Sequence, residues 1–166
     1  MLQRARIPMV TRLLPGLIRL RELVGFALRV VVGMVFLVAA SDKLANPELF
    51  ARTIANYRLL PIELVNLPAI VLPWLELFVG LMLVAGIRVR AAALVSAVLL
   101  GIFTVALVSA LVRGLDIHCG CFSQTAAERI GWGRVVEDIA LLAASLWLIV
   151  WTPRRWSIER YLRRSL

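Results

Sequence analysis

From Ala91 to Val112 the chain carries no charged side chain, and Leu23–Ala40, Leu67–Ile87 and Val135–Trp151 are also mostly apolar. About 20 such residues make a helix long enough to cross the hydrocarbon core of a bilayer. Inside that core unpaired backbone groups are so costly that only helices and closed barrels cross it. Four apolar runs of this length predict an all-α membrane protein, a four-transmembrane-helix bundle. Composition agrees: 61% of the 166 residues are hydrophobic, against roughly 45–50% in soluble domains, and the mean hydropathy is +0.90.

The formal net charge of +9 raises a nucleic-acid reading, which the placement of the charges removes. Arg4, Arg6, Arg12, Arg19 and Arg21 precede the first apolar run, and Arg154, Arg155, Arg160, Arg163 and Arg164 follow the last. Basic residues flanking apolar spans are topology signals. The aromatic–basic interleaving of a nucleic-acid groove is absent. The lipid bilayer is therefore an expected partner and nucleic acid is not. The chain divides into a basic segment 1–21, a membrane domain 22–151 and a basic tail 152–166.

Direction follows from the same residues. With both termini in the cytoplasm, twelve basic residues lie inside and six outside (Lys43, Arg52, Arg58, Arg113, Arg129 and Arg134), the sense that the positive-inside rule requires. The expected location is a bacterial inner membrane, N and C termini cytoplasmic, with loops 41–66 and 113–134 periplasmic. Val38-Ala39-Ala40 before Ser41 resembles a leader cleavage site, but the basic region ahead of it is long and contains Leu13, Leu14, Leu17 and Ile18. Residues 23–40 are accordingly read as a span and 7–21 as a short basic helix on the inner leaflet. Arg29 lies near the basic end of that span, within reach of the headgroups by snorkelling. Arg88-Val89-Arg90 predicts a tight turn between the second and third spans.

The first outer loop contains a helix start. Asn46 is a capping residue, Pro47 suits the first helical position, and Glu48 sits near the positive end of the helix dipole. Pro61 closes the segment. Leu49, Phe50, Thr53, Ile54 and Tyr57 recur at helical spacing, which predicts a short lateral amphipathic helix.

The second outer loop holds the only two cysteines, in Asp116-Ile117-His118-Cys119-Gly120-Cys121-Phe122. Outside the cytoplasm neighbouring thiols meet oxidising conditions. A disulfide between Cys119 and Cys121 closes so small a ring that it barely constrains the unfolded chain. Strain in such a ring favours exchange, Gly120 eases its backbone, and a neighbouring imidazole such as His118 stabilises a thiolate. Three readings stay open: a redox-active pair, metal binding by His118, Cys119 and Cys121, and inert or separately paired cysteines. As a metal site the set is one ligand short of the usual tetrahedral four.

Ionisable residues at membrane depth carry the remaining information. Glu76 lies within the second span, where a charge costs roughly 2.5–3.5 kcal/mol on insertion scales, so it requires a partner or a cavity. Lys43, at the outer end of the first span, is the expected partner. The pair reads either as a structural pin or as a proton-handling carboxyl with its counter-ion. Glu137 and Asp138 enter the fourth span, and Arg134, four residues before Asp138, is expected to pair with it. Ser96, Thr104 and Ser109 are expected to bond back to their own helices, and Trp132 and Trp151 to mark the ends of the fourth span. A lone histidine gives no bis-histidine haem site and no nucleotide-binding glycine pattern is present, so no cofactor motif is evident.

Lys43, Asn46-Pro47, Leu49-Phe50, Tyr57-Arg58-Leu59-Leu60-Pro61, the Pro73/Glu76/Gly80 spacing and Cys119-Gly120-Cys121-Phe122 together resemble the DoxX/MauE superfamily. The Cys-Gly-Cys-Phe element points to the MauE branch, named for methylamine utilisation, over about residues 22–151. Ser123 departs from the glycine that often follows Phe there. The resemblance implies a multi-pass inner-membrane protein of redox biology, linked to maturation or export of the disulfide-rich small subunit of methylamine dehydrogenase alongside a thioredoxin-like protein. It also implies a connection to quinol chemistry through DoxX. The leading expectation is a thiol–disulfide relay for exported proteins, with Cys119, Cys121, His118, Glu76 and Lys43 as site residues. Its expected partner is a periplasmic thioredoxin-like or exported redox protein, and quinone is the candidate electron acceptor. The alternatives are a metal-handling or transport protein and a non-catalytic anchor subunit of an oxidase or dehydrogenase.

Overall fold

The computed structural model describes residues 10–115 and 131–152. They form α1 (Val10–Ala45), α2 (Pro47–Asn56), α3 (Asn66–Ala85), α4 (Val89–Val112) and α5 (Trp132–Val150), with a 3₁₀ turn at Ile62–Leu64 ahead of α3. Three helical stretches, Ile18–Ala45, Ile62–Ala85 and Val89–Val112, are long and apolar enough to cross a membrane. The fourth expected span is a helix of 19 residues, α5. Arg134, Glu137 and Asp138 in its first two turns separate it in composition from the other three. The stretch 7–21, expected as a separate surface helix, is from Val10 onward the beginning of α1.

The turn between α3 and α4 is Gly86-Ile87-Arg88, two residues ahead of the expected one, and α4 starts at Val89. Gly86 takes φ 73°, a left-handed conformation that glycine adopts without penalty. There the Ile87 amide donates to the Met82 carbonyl at 3.0 Å and the Gly86 amide to Leu83 at 3.2 Å, the Schellman pattern of a helix end. Gly114 (φ 64°) repeats it after α4, with Leu115 donating to Ala110 and Gly114 to Leu111, both at 3.0 Å. At the end of the bundle away from α2, the Arg21 guanidinium lies 4.4 Å from the Trp151 ring centroid. Arg90 Nε donates to the Ile149 carbonyl at 3.0 Å, satisfying one of the acceptors that a helix C-terminus leaves unpaired. The long helices alternate in direction. α1 packs chiefly on α3 and α4 on α5, and the α3–α4 and α1–α5 contacts close the ring.

The buried face of α1 includes Gly25, Arg29, Val32, Phe36, Ala39 and Lys43, at alternating steps of four and three, with Gly33 and Ala40 beside them. On α3 it includes Pro73, Glu76, Gly80 and Leu83, in the same rhythm. The opposite faces expose large apolar side chains such as Phe78, Leu94, Ile102 and Val105, as lipid-facing helices do. At the α1–α3 crossing a Cβ placed on Gly33 would lie 3.1 Å from the Gly80 carbonyl oxygen, and one on Gly80 would lie 2.9 Å from that of Gly33. Neither position has room for a side chain. Between α4 and α5 the hydroxyls of Ser96 and Ser145, both fully buried, meet at 3.0 Å. Ser96, Thr104 and Ser109 also bond back to the carbonyls of Ala93, Leu100 and Ala106.

Three local expectations are corrected. Arg29 does not snorkel: it is 1% exposed, on the inward stripe of α1, with its guanidinium 5.1 Å from the Phe26 ring centroid. Asn46 occupies the cap position of α2 without capping it, and its side-chain amide donates to the Asp42 carbonyl at 3.4 Å instead. The buried side of α2 is Phe50, Thr53 and Tyr57, while Leu49 is exposed, so the apolar stripe is narrower than its sequence spacing implied.

Candidate functional site

Lys43 ends α1 with its side chain 1% exposed. In a helix side chains lean toward the N-terminus. In the antiparallel pair α1 and α3, Lys43 and Glu76 therefore lean toward each other along the seam. Lys43 Nζ donates to Glu76 Oε1 at 2.5 Å. The ammonium also lies 5.0 Å from the ring centroids of both Phe50 on α2 and Phe103 on α4, within the range of cation–π attraction. Asp138 on α5, 1% exposed, lies within the electrostatic reach of the same ammonium. All five helices thus contribute to the surroundings of one lysine.

Asp138 corrects the sequence reading. Arg134 Nη1 pairs with Glu137 Oε2 at 2.6 Å near the surface, and Asp138 turns inward instead of pairing with Arg134. Its position was readable in principle: Val135, Asp138 and Ser145 fall on one face of α5 and are all buried. The Asp138 and Glu76 side chains line one small cavity with Val35, Phe36, Ala39, Leu100 and Phe103. The cavity measures about 10 Å³, the space that one water needs. Glu76 Oε2 and Asp138 Oδ2 are buried without a hydrogen-bond partner among the described residues.

The end of the bundle that holds this cluster is also where the cysteine segment leaves it. Arg113, just after α4, donates through Nη2 to the Tyr57 carbonyl at 2.6 Å and through Nη1 to the Arg58 carbonyl at 3.4 Å. That tie joins the start of the second loop to the end of α2. Burial pushes the Tyr57 phenol up to about 12, and the negative charge of Asp138 acts in the same direction. His118, Cys119 and Cys121 lie outside the described residues. Among the described residues no group of three His, Cys, Asp or Glu side chains is arranged to hold a metal ion.

Apolar membrane-crossing helices gathered around a buried lysine–carboxylate cluster define a helical membrane protein with an ionic site inside its bundle. The family described as Methylamine utilisation protein MauE matches residues 21–151, and the chain belongs to that family. It is 33% identical to the methylamine utilization protein MauE of Paracoccus denitrificans over 135 residues, 81% of this chain and 73% of that one. Identity to the protein of the same name in Methylophilus methylotrophus is 40% over 120 residues, 70% of this chain and 63% of the relative. For Paracoccus versutus it is 38% over 125 residues, 75% and 67%. The chain therefore spans between 63% and 73% of the length of these relatives. No solved structure matches it.

Proposed function

We propose that this chain is a thiol–disulfide relay of the bacterial inner membrane that supports the maturation of exported proteins. In this reading α5 is a fourth crossing, α2 lies laterally over the outer end of the bundle, both termini are cytoplasmic and the Cys119/Cys121 loop is periplasmic. The observation that carries it is the tie from Arg113 to Tyr57 and Arg58. It starts the cysteine segment at the same end of the bundle as Lys43, Glu76 and Asp138, so thiol chemistry and buried proton-carrying groups share one side of the membrane.

A thiolate of a periplasmic thioredoxin-like partner attacks the Cys119–Cys121 disulfide, forming a mixed disulfide and releasing one thiol of this chain. The partner's second thiol resolves it, leaving the partner oxidised and Cys119 and Cys121 reduced. Re-forming the S–S bond releases two electrons and two protons. The proposal assigns both to a membrane quinone, which becomes quinol. The cavity beside Glu76 and Asp138, about 10 Å³, has space for one water and none for a quinone ring, so the quinone is met outside it. His118 stabilises the attacking thiolate, and Glu76 with Lys43 takes and returns protons. The relatives' name extends the proposal to exported proteins of methylamine utilisation.

The test is the redox state of the pair in intact cells, acid-quenched and alkylated with a membrane-impermeant thiol reagent before and after reduction. Labelling only after reduction supports the relay, as does a mixed disulfide with a periplasmic protein trapped by Cys119→Ser or Cys121→Ser. Free labelling without reduction removes its main support and favours metal handling. Full activity of both serine variants in complementation leaves the chain as an anchor subunit. Resistance to label after reduction overturns the topology.

A further inference from the structure

Among the described residues, the cluster around Lys43 is unbalanced. One ammonium faces two carboxylates, Glu76 and Asp138, each 1% exposed. Only Glu76 Oε1 receives a hydrogen bond from Lys43, while Glu76 Oε2 and Asp138 Oδ2 are buried without a partner among the described residues and both residues line the same cavity. The other charged groups nearby do not repair the balance. On α5 itself Arg134 and Glu137, paired with each other and part-exposed, act on Asp138 with opposite signs. On α1 Asp42 adds a further negative charge. From α2 the facing groups are Phe50 and the Tyr57 phenol, neutral until about pH 12, and α4 brings Leu100 and Phe103. Leaving a second full negative charge in this apolar setting is costly, because buried ions need a partner or are neutralised.

What neutralises it must fit the space. An oxygen-bound metal cation requires six or more ligands. This cavity offers two carboxylates among Val35, Phe36, Ala39, Leu100 and Phe103, and a volume of about 10 Å³. A proton requires only an acceptor, and two carboxylates that share a site commonly hold one between them.

We infer that Glu76 and Asp138 share a single proton, that Lys43 is the fixed counter-charge of the remaining carboxylate, and that one water in the cavity links their free oxygens. Asp138 is thereby a proton-binding residue of the bundle, coupled to the Lys43–Glu76 pair. This bears on the proton handling proposed above, yet it concerns the resting protein and needs no thiol chemistry.

The full chain in lipid nanodiscs near neutral pH, examined by infrared spectroscopy in light and heavy water, provides the test. Wild type should show the carbonyl stretch of one protonated carboxyl per chain. Asp138→Asn and Glu76→Gln should each abolish it, because the one carboxylate left is then balanced by Lys43. Asp138→Glu should keep it, and Lys43→Met should double it. A wild type without the band, or a band that survives either neutralising variant, overturns the inference. Because Glu76→Gln and Asp138→Asn make the same prediction on different helices, failure of either one to fold leaves the other decisive. No partner or oxidant enters the measurement, so its failure and a failure of the relay are told apart.

Discussion

Gly33 and Gly80 bring the backbones of α1 and α3 together so closely that a Cβ on either meets the carbonyl oxygen of the other at 3.1 Å or less. Glu76 stands one turn from Gly80 on the same face of α3. The close crossing and the buried ion pair are thus two parts of one seam. Lipid supplies no hydrophobic drive for helices to associate, so close packing of small residues takes its place.

Enlarging that contact should therefore loosen the site as well as the seam. Gly80→Val is expected to destabilise the protein by about 1–3 kcal/mol, the usual range for overpacking, with a lowered thermal midpoint in detergent. The obstacle on Gly80 is the Gly33 backbone oxygen at 2.9 Å, which no rotamer change moves, so Gly80→Ala should also be destabilising. A Gly80→Val protein that melts with wild type would show that the crossing is looser than described.

Removing one partner from the buried pair leaves the other without its counter-charge. Lys43→Met deprives Glu76 of the bond that Lys43 supplies at 2.5 Å, so the folded protein must bind a further proton there, and loss of a buried partner typically costs about 3–5 kcal/mol. The double variant Lys43→Met/Glu76→Gln should recover a large part of that loss in the same melting assay. Additive losses in the double variant would argue against direct coupling.

Tyr57 gives a pH signature outside the spans. Its phenol is pushed from an ordinary 10.0 up to about 12 by burial, with Asp138 adding to the effect. The folded state thus holds this proton more tightly than the unfolded chain. The resulting stability is complete below pH 10 and disappears as the pH rises from 10.0 to about 12. Subtracting the tyrosinate absorbance titration of Tyr57→Phe from that of wild type should show the ionisation near the upper value. A difference curve centred near 10 would contradict the burial of the ring.

The Ser96–Ser145 contact offers a test of modest size. The hydroxyls meet at 3.0 Å, and each also has a carbonyl in its own helix. Interhelical hydrogen bonds in membranes average about 0.6 kcal/mol in double-mutant cycles. A cycle of Ser96→Ala and Ser145→Ala is expected to give a coupling of about that size, and a coupling indistinguishable from zero would mean that the helices are held there by packing alone.

The sequence made some of this architecture legible and concealed the rest for physical reasons. Apolar runs are read directly by hydropathy, so α3 and α4 fall close to their expected limits, and Glu76 in an apolar run demands a partner that Lys43 supplies. The direction of Asp138 was hidden because Arg134 at i−4 offered a simple surface pairing, whereas Arg134 turned to Glu137 at i+3. The phase of Asp138 with Val135 and Ser145 carried the better signal. Arg29 misled in the same way: nearness to a basic end suggested snorkelling, while its register with Val32, Phe36 and Lys43 turned it inward. Phe50 was expected on the apolar side of α2, but its contact with the Lys43 ammonium depends on how α2 returns over the bundle, which local spacing does not encode. The cysteine motif itself was plain in the sequence and lies outside the described residues.

Lys43 and Glu76 are 33 residues apart on separate helices, and Glu76 is a charge that a lone α3 places in lipid at a cost of roughly 2.5–3.5 kcal/mol. α3 cannot reach its final depth cheaply by itself, and the Lys43 ammonium is drawn inward only by the carboxylate that α3 brings. For this chain insertion and assembly are not successive stages: the end of α1 is seated only when α3 arrives beside it, and biogenesis of the first helix is completed by the synthesis of the second long one.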